Sequence, residues 1–195
     1  LLRQLSEPGL AGFFAECLTR APHLITGNTS YVKRVVFPLD VLPWPMMISA
    51  LFHALMNVVV FVVLRLLLEH AFSWTLFLLP LVMLPLAVLM LGIGWLLAAL
   101  GVYFRDVSQI TGVLATAMLF TSSAIVPVSS VSPKYRVVFE SNPLTFIIDQ
   151  ARAVALWDTM PDWGGLGIYL LVSLMVAYLG YAWFMATRRG FGDVI

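Results

Sequence analysis

The sequence predicts an all-α fold, a polytopic membrane helix bundle, and three observations carry that prediction. Of the 195 residues 61% are hydrophobic and only 11% are charged, against about 25% charged in an ordinary soluble domain. Mean hydropathy is +0.97. The few charges are also segregated, leaving uncharged stretches at 41–64, 71–104, 107–133 and 163–187. A helix needs about 20 apolar residues to cross the hydrocarbon core, and a soluble core of this size could not bury so much apolar surface. Lipid is therefore the solvent for much of this chain.

The elements follow in order. The sequence opens LLRQLSEPG, without Met and without a basic region before an apolar run, so it reads as no signal peptide and as lacking part of a natural N-terminus. Residues 8–26 are apolar but interrupted by Glu16 and Arg20. Charge at a helix centre is costly in lipid, so this stretch reads as an amphipathic helix or one end of a span. The uncharged runs place further spans near 43–64, 77–100, 107–126 and 163–186. The second run is too long for one upright helix, since 34 residues at 1.5 Å each would reach about 51 Å. Pro80 and Pro85 mark its beginning.

Segment 127–162 fails as a span. It holds four prolines and charges from Lys134 to Asp162. Yet Phe146, Ile147, Gln150 and Val154 lie at helical spacing, and Asp149 and Arg152 stand three apart. Short helices at one interface fit, tolerated at membrane depth where protein or water covers their backbone. Lys and Arg set the orientation. With the N-terminal segment inside, that side holds Arg20, Lys33, Arg34, Arg105, Arg188 and Arg189, and the outside holds Arg65, Lys134, Arg136 and Arg152.

Chemistry is sparse. The one cysteine, Cys17, allows no internal disulfide and no cysteine-based metal site. His23, His53 and His70 show no ligand spacing and read as polar residues in a bundle or at an interface. A net charge of +1 offers no field for nucleic acid. The two lysines, Lys33 and Lys134, belong to no phosphate-binding loop, so no ATP site of that kind is present. The four uncharged runs lack the carboxylates of ion-coupled transport, so transport energy would come from another protein. No catalytic or metal site is expected.

Some polar features leave two readings. Gly94, Ala98 and Gly101 allow close helix approach, inside the chain or between subunits. The third run carries hydroxyls at Ser108, Thr111, Thr116, Thr121, Ser122 and Ser123. These bond back to their own helix or line a channel. Residues 27–45 hold Tyr31, Val32, Val35 and Val36 beside Lys33 and Arg34, and Phe37-Pro38 ends the apolar pattern. This is a docking helix or an interfacial helix on lipid.

Four stretches then resemble the permeases of ABC-2-type polysaccharide exporters, which move O-antigen, teichoic acid and related glycans. They are FFAECLTRAPHLITGNTSYVKRVVFP at 13–38, GVYFRDVSQI at 101–110, VPVSSVSPKYRVVFESNPLTFIIDQAR at 126–152 and RRGFGDVI at 188–195. The resemblance covers essentially the whole chain, with YFRD, NPLT and the closing F-x-D-V in the family's order. It implies a six-span protein with cytoplasmic termini, of which this chain lacks the interfacial helix and first span. It implies that 27–38 is a coupling helix docking on a separate ATPase, with Asn28, Tyr31, Lys33, Arg34, Phe37 and Pro38 as contacts. It implies a cytoplasmic gate at Tyr103, Phe104, Arg105 and Asp106, although Arg105-Asp106 equally reads as a local turn-capping pair. Ser108, Thr111, Thr116 and Ser122 would line the channel. Asn142, Pro143, Asp149 and Arg152 would form an external gate within 127–162.

The implied assembly has two permeases and two ATPases in a bacterial inner (plasma) membrane. ATP and Mg would belong to the ATPase, and this chain would bind no cofactor. The cargo would be a polysaccharide on polyprenyl diphosphate. A membrane transferase is the rival reading and would need paired acids, for which only Asp149, Asp158 and Asp162 cluster. An ABC-2 permease for another cargo is the third.

Overall fold

The computed structural model describes residues 8–28, 38–69, 74–104, 106–124 and 133–191. Among the described residues there is helix and turn but no strand. In chain order they form α1 (Pro8–Arg20) and a short α2 (His23–Thr26). A 3₁₀ turn (Leu39–Val41) leads into α3 (Pro43–Glu69), and another (Trp74–Leu78) into α4 (Leu79–Tyr103). Then come α5 (Val107–Phe120), α6 (Pro133–Glu140), α7 (Pro143–Leu156), α8 (Trp163–Thr187) and a closing 3₁₀ turn, Arg188–Gly190.

Among the described residues, three stretches are long and apolar enough to cross a membrane: Leu39–Leu67, Trp74–Tyr103 and Trp163–Gly190. Their outer faces are those of a protein dissolved in lipid. Ile48, Phe52, Val59 and Val63 on α3, and Ile168, Leu171, Met175 and Leu179 on α8, are all exposed. Such apolar faces would aggregate in water.

Element boundaries depart from the expected ones for local reasons. The expected stretch 8–26 is broken after Arg20, because Pro22 supplies no amide hydrogen and disfavours helix in the residue before it. α3 runs through Arg65 to Glu69 and does not stop at Leu64. α4 starts at Leu79, with Pro80 in its first turn, where no amide hydrogen is needed. α5 ends at Phe120, short of the expected 126, and has 14 residues. That is about 21 Å of helix, less than a bilayer core of about 30 Å. Thr121 Oγ1 donates to the Ala117 carbonyl at 2.9 Å and Ser122 Oγ to the Leu119 carbonyl at 2.8 Å. These hydroxyls share carbonyls that the Thr121 and Ser122 amides also bond as the helix ends.

α4 is the centre of the bundle. Val82, Leu86, Met90, Ala98 and Ala99 are all buried, on more than one face. α8 is its main neighbour, and the two backbones touch. A Cβ at Gly92 would lie 2.5 Å from Ala177 Cα, and one at Gly180 would collide with the Gly92 carbonyl. Gly101 likewise leaves room for the Pro22 carbonyl. The small residues of α4 thus serve packing inside the chain. α1 lies against α3, α5 and α4, and α7 lies against α4 and the Trp74–Leu78 turn. The face expected on α7 is the packed one: Ile147 and Val154 are buried and Phe146 stacks on Tyr169 with centroids 5.9 Å apart.

Candidate functional site

Among the described residues, polar side chains gather at both ends of α7 and at two further places. The first is the end of α5 against α7. Asn142 Oδ1 accepts from the Leu144 amide at 3.0 Å, which caps the N-terminus of α7. Its Nδ2 donates to the Met118 carbonyl at 2.7 Å and to Thr121 Oγ1 at 3.2 Å. One amide thus joins the start of α7 to the end of α5. Pro143 fits the first helical position, and its carbonyl accepts from the Tyr169 hydroxyl at 3.1 Å. The Arg152 guanidinium donates to the Ser123 carbonyl and sits 3.3 Å from Asp149. Arg152 is buried and Asp149 half exposed. The structure therefore brings Asn142, Pro143, Asp149 and Arg152 onto one helix and ties that helix to the chain after α5.

The far end of α7 holds a contact between Arg65 and Asp158 that the sequence did not reveal. Arg65, 4% exposed, donates to the Ala155 carbonyl and reaches the Asp158 carboxylate at 3.4 Å. Thr75 Oγ1 donates to the Val154 carbonyl at 2.8 Å. Asp158 has φ 54°, in the left-handed region that ends a helix run. A lone arginine in the last turns of a long apolar helix needs a partner in the protein; that was the available signal.

The second place is the opposite end. The Tyr103 hydroxyl donates to the Thr187 carbonyl at 3.0 Å, and Arg188 pairs with Asp40 at 3.2 Å. Trp95 Nε1 donates to the Asp40 carbonyl at 2.9 Å. Phe191 is buried between Phe184 and Tyr103, with centroids at 5.5 and 6.0 Å. Phe104 is exposed. Asp106 precedes α5 without a side-chain cap, and its carbonyl accepts from Gln109 and Ile110. Of the expected gate, Tyr103 is thus tied to the last helix, and Arg105 lies outside the described residues. Of the expected coupling set, Asn28 Nδ2 donates to the Leu24 carbonyl at 2.9 Å and Pro38 precedes the Leu39–Val41 turn. Tyr31, Lys33, Arg34 and Phe37 lie outside the described residues.

The expected channel hydroxyls divide. Thr111 and Ser122 are buried within the chain, Ser108 is half buried and Thr116 is exposed. Thr111 Oγ1 donates to the Ser108 carbonyl, Thr116 Oγ1 to the Gly112 carbonyl, and Ser122 Oγ to the Leu119 carbonyl. Only Thr116 of the four both faces outward and stays on the open side of α5. Thr111 faces inward because that side of α5 packs against the bundle, which position along a helix alone does not reveal, and Ser122 is buried in the chain after α5.

The third place is the flank of α1 and α3. Glu16 pairs with Arg20 one turn on and with His53 Nδ1 at 2.9 Å. Their partnership spans 37 positions of sequence, so no local motif announces it.

The acids of a transferase are otherwise engaged. Asp149 meets Arg152, Asp158 meets Arg65, and Asp162 caps α8 through the Gly164 and Gly165 amides at 3.0 and 3.1 Å. No two of them form a pair.

These features define a multi-helix membrane protein whose polar contacts brace its helices. Residues 9–156 match the ABC-2 type transporter family, and the chain belongs to that family of membrane transporters. It is 24% identical over 173 residues to the O-antigen export system permease protein RfbA of Myxococcus xanthus, covering 88% of this chain and 66% of that relative. It is 22% identical over 186 residues to the protein of the same name from Klebsiella pneumoniae, covering 94% and 71%. The chain thus spans about two thirds of the length of these curated relatives.

Proposed function

We propose that this chain is the permease part of an ATP-driven exporter that moves a lipid-linked polysaccharide, an O-antigen-like glycan on polyprenyl diphosphate, across the bacterial inner membrane. The observation that carries the reading is the family match over 9–156, joined by two relatives that are both O-antigen export permeases. These 195 residues hold no phosphate-binding loop, and the reading assigns ATP and Mg to a separate ATPase. Two copies of each form the transporter. Segment 27–38 is the coupling helix, with Lys33 and Arg34 as its charged contacts. Tyr103 to Asp106 lie at the cytoplasmic gate.

α6 and α7 form the external gate. The polar bonds of α7 to α3 and to the end of α5 and the chain after it support this, because short helices at membrane depth need such cover. The open side of α5, with Thr116, forms part of the conduit wall.

The test is co-purification of the full-length chain with its ATPase and export of glycan in vesicles. Lys33→Glu with Arg34→Glu should break the complex and stop export. An intact complex with normal export would remove the coupling assignment.

A further inference from the structure

Three of the long apolar helices meet at one aromatic cluster. Trp95 of α4 stands edge-on to Trp44 of α3, with ring centroids 6.3 Å apart, and to Tyr181 of α8, at 5.1 Å. Trp95 is 8% exposed. An indole N–H buried in an apolar helix needs an acceptor, and Trp95 Nε1 finds it in the Asp40 carbonyl at 2.9 Å. The Asp40 carboxylate in turn pairs with Arg188, just past α8, at 3.2 Å. One residue ahead of α3 is thus held by α4 through its backbone and by the end of α8 through its side chain. Those two helices are the ones whose backbones touch at Gly92 and Gly180, so the clamp on Asp40 leads into a contact that leaves no room for a side chain.

Asp40 stands two residues beyond segment 27–38. The chain that joins them to α3 is not slack. The Val41 amide donates to the Pro38 carbonyl and the Leu42 amide to the Leu39 carbonyl, each at 3.2 Å. Leu39 is buried, and α3 begins directly afterwards at Pro43. A flexible linker would absorb a displacement, whereas a hydrogen-bonded turn clamped at both of its polar ends passes it on. The ion pair is half exposed, and such pairs add little to stability. Its use is positional.

We infer that Asp40 is the joint through which segment 27–38 acts on α4 and α8. With its carbonyl bonded to Trp95 and its carboxylate paired with Arg188, it is a positioning residue for the coupling of ATP hydrolysis to export. The inference rests on the proposed coupling role of 27–38 and adds the path beyond it.

The test uses the full-length transporter with its ATPase in membrane vesicles and reads the glycan moved per ATP hydrolysed. Trp95→Phe keeps the ring and removes the donor. Arg188→Gln removes the pair. Each should lower the ratio about fivefold, the low end of coupling between two sites, with the ATPase still bound. Asp40→Arg combined with Arg188→Asp keeps the carbonyl bond and reverses the pair, and it should restore the ratio that Arg188→Gln loses. Arg188→Gln alters a half-exposed side chain and keeps the test open should Trp95→Phe fail to fold.

An unchanged ratio in either single variant overturns the joint. So does a fall of export and hydrolysis in step, which would mean a pin that only holds the fold, and so does a charge swap that restores nothing. These outcomes leave the exporter reading standing, because they are read beside a wild type that exports. Lys33→Glu with Arg34→Glu, run in the same assay, reports on docking alone. An intact complex with normal export there would remove the coupling role of 27–38, and the joint with it.

Discussion

Asn142 Nδ2 donates to the carbonyl of Met118, 24 residues earlier, at 2.7 Å. The same side chain caps α7 through its oxygen. One buried amide therefore serves the end of one helix and the start of another. Asn142→Ala should lose the cap, worth about 1 kcal/mol, and also leave the Met118 carbonyl only the longer 3.4 Å bond from Thr121 Oγ1, for about 1 kcal/mol more. Asn142→Ser keeps the cap alone and should fall between. Thermal unfolding in detergent would rank the three proteins, and equal midpoints for Ala and Ser would show that the link to α5 carries no stability.

Arg152 bridges Asp149 on its own helix and the Ser123 carbonyl beyond α5. Lysine offers a point charge in place of a fork and cannot hold both partners in the same geometry. Arg152→Lys should therefore speed hydrogen exchange in 118–124 while leaving α8 unchanged. Equal exchange in both regions would exclude the bridge as a brace.

The Gly92–Gly180 approach admits no side chain. Gly180→Val should destabilise the chain by about 1–3 kcal/mol or more, as overpacking does. Gly167 has nothing within 4 Å of a Cβ, so Gly167→Ala should be neutral or stabilising by up to about 1 kcal/mol through helix propensity. The yield of folded protein on size exclusion checks both.

Phe191 is fully buried against Phe184 and Tyr103. Phe191→Ala should cost about 3–5 kcal/mol and release the chain end. Trypsin should then cut faster at Arg188 and Arg189. Unchanged cleavage would mean that the Arg188–Asp40 pair holds the end by itself.

The membrane character of the fold was legible because solvation by lipid is a property of composition. Charge-free runs located α3, α4 and α8 to within a few residues at most ends. They misplaced the end of α3, since Arg65 satisfies its charge inside the protein and the helix continues past it. They also overran α5, because the hydroxyls that end it are apolar enough to pass as span.

Resemblance to a family singled out Asn142 and Arg152, and their contacts with Met118 and Ser123 became visible only with the helices in place. The Glu16–His53 pair is a tertiary fact with no local trace. Sequence reading treated His53 as an ordinary polar residue because nothing near it in the chain could hold it.

One consequence of the α4–α8 contact concerns motion. Two backbones that touch at Gly92 and Gly180 cannot slide along each other, since a shift of one turn, about 5.4 Å, would drive a side chain into a carbonyl. α4 and α8 therefore behave as a stator, a single rigid post fixed in register.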